Sequence, residues 1–145
     1  MTQTVGMDDL RARREAVVRR HMEAENQHDY DAVIATFGRP RYELMATGQV
    51  FDGEEEVRHY FAASRGAFPD QRNELVSLRS ADDAVVVELD LLGTHLGELR
   101  GVPATGKTFR SRMAAIFVFE DGTDRITCER VYFDSGDILR QLGLG

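Results

Sequence analysis

The spacing of apolar residues changes from a helical to an alternating pattern about halfway along the chain. In residues 8–28, apolar residues and histidines recur at steps of three and four, which predicts a helix with Asp8 and Asp9 as candidate caps. Further helices are predicted over residues 29–37 and 53–65. Alternation of apolar and polar residues predicts strands at 42–46, 73–79, 84–95, 107–119 and 126–133.

This order of elements predicts an α+β fold. Three helices followed by strands that short turns connect favour N-terminal helices packed on one face of a curved, mainly antiparallel sheet. A final helical turn is predicted over residues 138–142. Because no repeat, low-complexity segment or linker interrupts the chain, we expect residues 1–145 to form one domain. The hollow end of such a cone is where small ligands usually bind.

Composition and charge exclude several classes of protein. The 145 residues carry 18 basic and 25 acidic side chains, a net charge of −7, which argues against a nucleic-acid partner. The arginines between residues 11 and 20 alternate with acidic residues, as on a solvated helix face. No signal peptide and no apolar run of about 20 residues is present, so we expect no membrane partner and a cytoplasmic location. With one cysteine and four dispersed histidines, neither a disulfide nor a metal site is expected.

Residues 101–108 match the phosphate-binding pattern G-x-x-x-x-G-K-[ST] at every position. That loop binds phosphate only where a strand enters it and a helix leaves it. The segment that follows, residues 109–119, is rich in aromatic and β-branched residues, and it ends at the turn signal Asp121-Gly122. We therefore interpret residues 97–106 as the loop of a β-hairpin.

Two polar residues share the apolar face of the predicted sheet. Glu129 alternates with Val131 and Phe133, and loss of solvation there would raise its pKa into the range of a general base. The alternative is an ion pair between Glu129 and Arg110 or Arg112, which would lower the pKa. His95 continues the apolar face of its strand and is either a proton carrier at the cavity rim or a hydrogen-bonded strand end.

Other residues are candidates for a pocket or a second carboxylate pair. Glu88 and Asp90 lie two positions apart on one strand face, which is more often the outer face of a sheet. The residues that could line a substrate pocket, or fill the core, are Tyr42, Met113, Phe117 and Phe133.

Several motifs together resemble those of one family. They are Phe68-Pro69-Asp70, Gly93-Thr94-His95 with Gly97, the Gly-Val-Pro-Ala-Thr-Gly of residues 101–106, the Glu-Arg-Val-Tyr-Phe-Asp of residues 129–134, and the Arg-Gln-Leu-Gly of residues 140–143. In these motifs the chain resembles the SnoaL-like polyketide cyclases of the nuclear transport factor 2-like superfamily. The resemblance implies a cone-shaped α+β barrel, commonly a homodimer, whose pocket needs neither metal nor cofactor.

The resemblance also implies chemistry. Such cyclases close a ring by intramolecular aldol condensation, with an acidic residue that acts near a histidine. The acidic residue corresponds to Glu129, whereas the histidine position falls near Met113, so His95 is the remaining candidate. We expect Glu129 to remove an α-proton from a small or medium apolar carbonyl compound while His95 or a tyrosine polarises the enolate oxygen.

Two other functions remain open at this stage. One is opening of an epoxide, with Glu88 and Asp90 in the roles of base and acid. The other is a non-catalytic module for binding a small ligand or for dimerisation, for which an arginine should hold Glu129.

Overall fold

The computed structural model describes residues 2–145, with side chains from residue 6 onward. The helices are α1 (Thr2–Asn26), α2 (Tyr30–Ala35), α3 (Glu54–Ala67) and α4 (Ser135–Gln141), and the strands are β1 (Arg41–Leu44), β2 (Gln49–Asp52), β3 (Arg72–Ser80), β4 (Ala84–Thr94), β5 (Thr108–Phe119) and β6 (Ile126–Tyr132). The predicted α+β fold, with helices on one face of a curved sheet, is confirmed.

The six strands form one sheet in the order β2-β1-β6-β5-β4-β3. All neighbouring strands are antiparallel except β1 and β6, which are parallel. The β4–β5 hairpin is the longest, and its register runs without a bulge from Ala84↔Val118 to Thr94↔Thr108. The alternation of β4 therefore continues to His95, which is buried on the apolar side as predicted.

Helices α1 to α3 cover the apolar face of the sheet and form the main core. The buried residues of this core include Val18 of α1, Phe61 of α3, Val85 of β4 and Phe117 of β5. Helix α4 packs on a smaller cluster that contains Phe109 and other buried apolar residues at the far end of the sheet. No helix within residues 2–145 combines the length and the apolar character that a membrane crossing requires.

Local capping explains where the shorter helices begin. Asp29 accepts a hydrogen bond from the Ala32 amide at 3.2 Å at the start of α2, and Asp134 caps α4 in the same way. The predicted start of α1 is wrong, because the helix already begins at Thr2. Asp9 lies inside the helix and forms an ion pair with Arg13 one turn later.

One arginine of the predicted solvated face of α1 is buried. Arg14 donates to the main-chain carbonyls of Thr123, Asp82 and Glu120, at 2.8, 3.1 and 3.3 Å. It therefore ties α1 to the loops at one end of the sheet. Arg14 can be buried because the turns after β3 and β5 bring main-chain carbonyl oxygens under the helix, and these accept its hydrogen bonds.

The interpretation of residues 97–106 as a hairpin loop is confirmed. Gly101 and Gly106 adopt φ angles of 82° and 71°, and strand β5, rather than a helix, follows the loop. The main-chain amides therefore do not converge at a helix N-terminus, as phosphate binding would require.

Candidate active site

Polar side chains meet inside the main core, where side chains of α1 reach those of β1 and β6. They are His21 and Glu25 of α1, Tyr42 of β1 and Glu129 of β6. We refer to these four residues as the acid/base cluster. His21 is fully buried, whereas the side chains of Glu25 and Glu129 keep 13% and 9% of their surface exposed. The two carboxylates therefore keep some exposed surface, whereas His21 and Tyr42 keep almost none.

Strand register and helix period bring these residues together. Glu129 is paired with Tyr42 on one side and with Phe117 on the other, so all three side chains project from the same face. His21 and Glu25 lie four residues apart and thus share one face of α1. The His21 ring packs edge-on against Phe117, with 5.0 Å between the ring centroids.

Hydrogen bonds determine the orientation of the His21 ring. The Thr36 hydroxyl donates to the Val33 carbonyl at 2.6 Å, so its oxygen accepts from His21 Nδ1 at 2.8 Å. His21 Nε2 lies 2.8 Å from Glu129 Oε1 and 3.5 Å from Glu25 Oε1. One ring nitrogen is thus held by a neutral acceptor while the other faces two carboxylates.

Tyr42 closes the cluster from β1. Its hydroxyl donates to Glu25 Oε2 at 3.1 Å and lies 3.2 Å from His21 Nε2. Burial, together with the charges of Glu129 and Glu25, raises the pKa of Tyr42 well above its ordinary value. The phenol therefore stays protonated and acts as a hydrogen-bond donor.

The cluster separates the pKa values of its acids and base. Burial alone would lower the pKa of His21, but the charge of Glu25 and the hydrogen bond to Glu129 outweigh burial and raise it to about 10. Burial and the charge of Glu25 raise the pKa of Glu129. Burial alone would raise the pKa of Glu25, yet the charge of His21 and its hydrogen bond lower that pKa. At neutral pH the pair His21 and Glu25 is ionised, and Glu129 is the weaker acid.

A second cation lies beside the cluster. The guanidinium of Arg65, near the end of α3, lies 5.2 Å from the ring centroid of Phe61 and 5.8 Å from that of Tyr30. Its charge contributes to the lowered pKa of Glu25. Tyr60, whose burial raises its pKa to about 12, stacks on Phe51 at 4.7 Å. These partly buried aromatic rings form an apolar wall next to the carboxylates.

The structure does not bring His95 to Glu129. His95 packs against Phe68 in the smaller apolar cluster, and its Nδ1 accepts from the Thr105 amide at 3.2 Å. Val85, which lies level with Glu129 across the sheet, is ten residues from His95, or roughly 33 Å along an extended strand. The expected pairing of Glu129 with His95 is therefore wrong, because the two residues occupy opposite ends of the sheet.

The expected arginine partners of Glu129 are also elsewhere. Arg112 Nε and Arg110 Nη2 donate to the two carboxylate oxygens of Asp90, at 2.6 and 2.8 Å. Glu88 accepts from Ser77 and is paired with an arginine of β3. These side chains alternate with the core residues of β4, so they lie on the outer face of the sheet, as the sequence indicated.

The remaining pocket candidates are divided between two places. Phe117 contacts His21 in the acid/base cluster, and Met113 is partly buried against the main core. Phe133 packs against the same core and also lines an apolar cavity of about 370 Å³ with Phe68 and residues of α4. Tyr42 and Phe117 thus lie at the cluster, whereas Phe133 lies toward the far end of the sheet.

Sequence reasoning missed His21, Glu25 and Thr36 as members of the site. The signal was present, because His21 stands at an apolar position of the α1 pattern and Glu25 follows one turn later. A histidine on an apolar helix face needs a buried partner, and Glu129 was already the candidate buried carboxylate. Thr36 carries no such signal.

His21, Glu25 and Glu129 also offer ligand atoms that lie within 4.8 Å of one another, close enough for a metal ion. His21 Nε2 and Glu129 Oε1 lie 2.8 Å apart, at hydrogen-bond distance, so a metal ion bound to this nitrogen would have to displace the proton that the two atoms share.

Helices packed on a curved sheet, with an acid/base cluster in the core between them, define a class of small α+β proteins with ketosteroid isomerase-like architecture. A family model described as SnoaL-like polyketide cyclase matches residues 15–142. The chain therefore belongs to the SnoaL-like polyketide cyclase family.

Several solved structures share the fold of this chain. IdmH from Streptomyces antibioticus, a candidate polyketide cyclase, is 24% identical, with a TM-score of 0.76 over 90% of this chain and 98% of its own. AclR from Streptomyces galilaeus, a candidate hydroxylase, is 21% identical, with a TM-score of 0.78 over 93% and 87% of the two chains. A protein of ketosteroid isomerase-like fold from Catenulispora acidiphila is 21% identical, with a TM-score of 0.73 over 89% and 93%. A search of curated proteins gives no significant sequence match.

Proposed function

We propose that this protein is an acid/base enzyme that forms and uses an enolate of a small or medium apolar carbonyl compound, in an aldol-type cyclisation or an isomerisation. The observation that carries this proposal is the buried contact between Glu129 and His21 at 2.8 Å, beside a second carboxylate. Membership of the cyclase family supports the same reaction type.

Glu129 is the proposed base. Burial and the charge of Glu25 raise the pKa of Glu129, which brings the proton affinity of this carboxylate closer to that of a carbon acid. His21 keeps its proton, so it orients the Glu129 carboxylate and balances its charge rather than competing for the substrate proton. His21 is thus a positioning residue.

The proposed steps conserve atoms and charge. Glu129 takes the α-proton, which breaks the C–H bond and leaves its electron pair in the enolate. In a cyclisation the enolate carbon then forms a C–C bond with a second carbonyl of the same molecule. Protonated Glu129 returns its proton to the new alkoxide oxygen, or to carbon in an isomerisation. No redox partner or added cofactor is needed for these steps.

The other functions considered from the sequence receive less support. Epoxide opening by Glu88 and Asp90 requires both carboxylates to face the interior, and they lie on the outer face with arginine partners. For a non-catalytic module we expected an arginine to hold Glu129, whereas the hydrogen-bond partner of Glu129 is His21.

Exchange of α-protons for deuterium tests the proposal without knowledge of the natural substrate. The probe is 2-tetralone, an apolar ketone, in D₂O, and ¹H NMR follows the loss of its α-proton signal. We expect the protein to accelerate exchange, and Glu129→Gln to reduce the acceleration by about 100-fold or more. The matched control is Glu88→Gln on the outer face, which should exchange at the wild-type rate. Equal rates for the wild-type protein and Glu129→Gln, or no acceleration at all, would contradict the proposal.

A further inference from the structure

Arg65 is a partly buried cation beside the acid/base cluster. Its Nε is enclosed and has no hydrogen-bond partner, and its Nη1 donates to the adjacent Ser64 hydroxyl at 2.8 Å. Within residues 6–145, no carboxylate lies within ion-pair distance of it, although the charge of Glu25 acts on it from further away. An enclosed N–H group without an acceptor is costly, so its retention needs a reason.

Other arginines of the described chain show how this cost is usually avoided. Arg58, on the same helix, is exposed and pairs with Asp31 and Glu54. Arg14 is buried, but three main-chain carbonyls accept its hydrogen bonds. Arg65 has neither solution, because its guanidinium lies over the faces of Phe61 and Tyr30 and its Nε finds no acceptor. The rings stabilise the charge but do not satisfy this N–H group.

The charge balance of the site indicates which ligand group could accept a hydrogen bond from Arg65. When Glu129 is ionised, two cations, His21 and Arg65, stand against two carboxylates, Glu25 and Glu129. Transfer of an α-proton to Glu129 neutralises one carboxylate, so one cation loses its counterion at the moment when an enolate forms. His21 remains bound between Glu25 and Glu129. Arg65 is then the cation with free donors for the new negative charge.

We propose that Arg65 binds the anionic oxygen of the ligand, which in the proposed reaction is the enolate oxygen. The inference rests on the proposed function for that assignment. The ligand that Arg65 would bind carries an enolate or phenolate oxygen on a flat apolar body, and Tyr30 and Tyr60 would contact that body. Ligands that carry the same body without an ionisable oxygen lack this interaction.

Binding of 4-nitrophenol tests the inference, because its absorption spectrum distinguishes the bound phenol from the bound phenolate. The titration is done at a pH below the pKa of the free phenol. We expect the wild-type protein to bind the phenolate preferentially, and Arg65→Gln to weaken phenolate binding by about tenfold or more. Arg65→Lys keeps the charge but not the planar donors and should retain part of the preference. The matched control is Arg58→Gln, which should bind as the wild-type protein does.

Several outcomes would overturn the inference. One is an unchanged phenolate affinity in folded Arg65→Gln, and another is a wild-type protein that binds no phenolate. Where Arg65→Gln does not fold, a folded Arg65→Lys that binds only the neutral phenol would also overturn it. Circular dichroism and thermal melting establish folding. Glu129→Gln separates this inference from the proposed function, because it should abolish proton exchange yet bind the phenolate at least as tightly as the wild-type protein. If Arg65 does not bind the phenolate but the proposed function is correct, proton exchange will still depend on Glu129.

Discussion

The raised pKa of His21 has a direct consequence for stability at alkaline pH. In the unfolded chain His21 has an ordinary pKa of 6.5, and in the folded protein its pKa is about 10. Between these values the native protein holds one proton that the unfolded chain has lost. The stabilisation is therefore complete below the unfolded pKa and decreases as pH rises toward the folded pKa.

The magnitude follows from one proton per molecule. The free energy of unfolding should fall by about 1.4 kcal/mol for each pH unit in this window, or about 2.7 kcal/mol between about pH 7 and about pH 9. Cys128, whose burial raises its pKa from 9.0 to about 11, adds a loss of the same sign only above that interval. The interval below about pH 9 thus isolates His21 from the thiol.

The assay is urea denaturation followed by circular dichroism across this interval. We expect a downward slope for the wild-type protein and a flat profile for His21→Gln, which cannot bind the proton. NMR of the His21 ring gives an independent measurement, because the ring should stay protonated throughout. A wild-type free energy of unfolding that does not change with pH, or a ring that titrates near its ordinary pKa, would refute the reasoning.

Two further pairs of substitutions test local contacts, one beside His21 and one at the far end of the sheet. Thr36→Val removes the acceptor of His21 Nδ1 and should lower the free energy of unfolding by about 1–3 kcal/mol. Thr36→Ser keeps the hydroxyl and should lower it less. Equal stability of Thr36→Val and the wild-type protein in urea would contradict this expectation. Gly97→Ala would place a Cβ against the Gly66 carbonyl oxygen and should cost about 2 kcal/mol or more. Gly66→Ala, in open space on α3, should stabilise by about 0.5–1 kcal/mol, and thermal melts that rank the two variants in reverse would refute the contact.

The elements of the fold follow from short-range pattern. Periods of three to four residues and of two residues are properties of neighbouring positions, and turn signals such as Asp121-Gly122 interrupt them. This is why the strands over residues 84–95 and 107–119 were predicted to within a residue or two. The start of α1 was not, because a polar N-terminal stretch carries no apolar period to mark the first turn.

The parallel pairing of β1 with β6 required the whole chain. The two strands are separated by more than eighty residues, and a pattern of alternation does not state which strand lies beside which. This pairing places Tyr42 next to Glu129 and therefore completes the wall of the site.

Parity along β6 and β4 was sufficient to predict that Glu129 and His95 face the interior. Parity could not state how far apart they lie, and they occupy opposite ends of the sheet. The true partner, His21, was counted among the apolar positions of α1, because a one-dimensional pattern records only that a residue is buried and not what it meets.

The sequence by itself therefore determined most of the helices and strands, the side of the sheet that is buried and the presence of a carboxylate on that side. Only the tertiary structure decided that α1 brings His21 and Glu25 onto Glu129, and that α3 leaves Arg65 beside them with an Nε that has no acceptor. The reason is physical: burial depends on local periodicity, whereas the pKa values of a buried acid and base depend on distances between segments that are far apart in the chain.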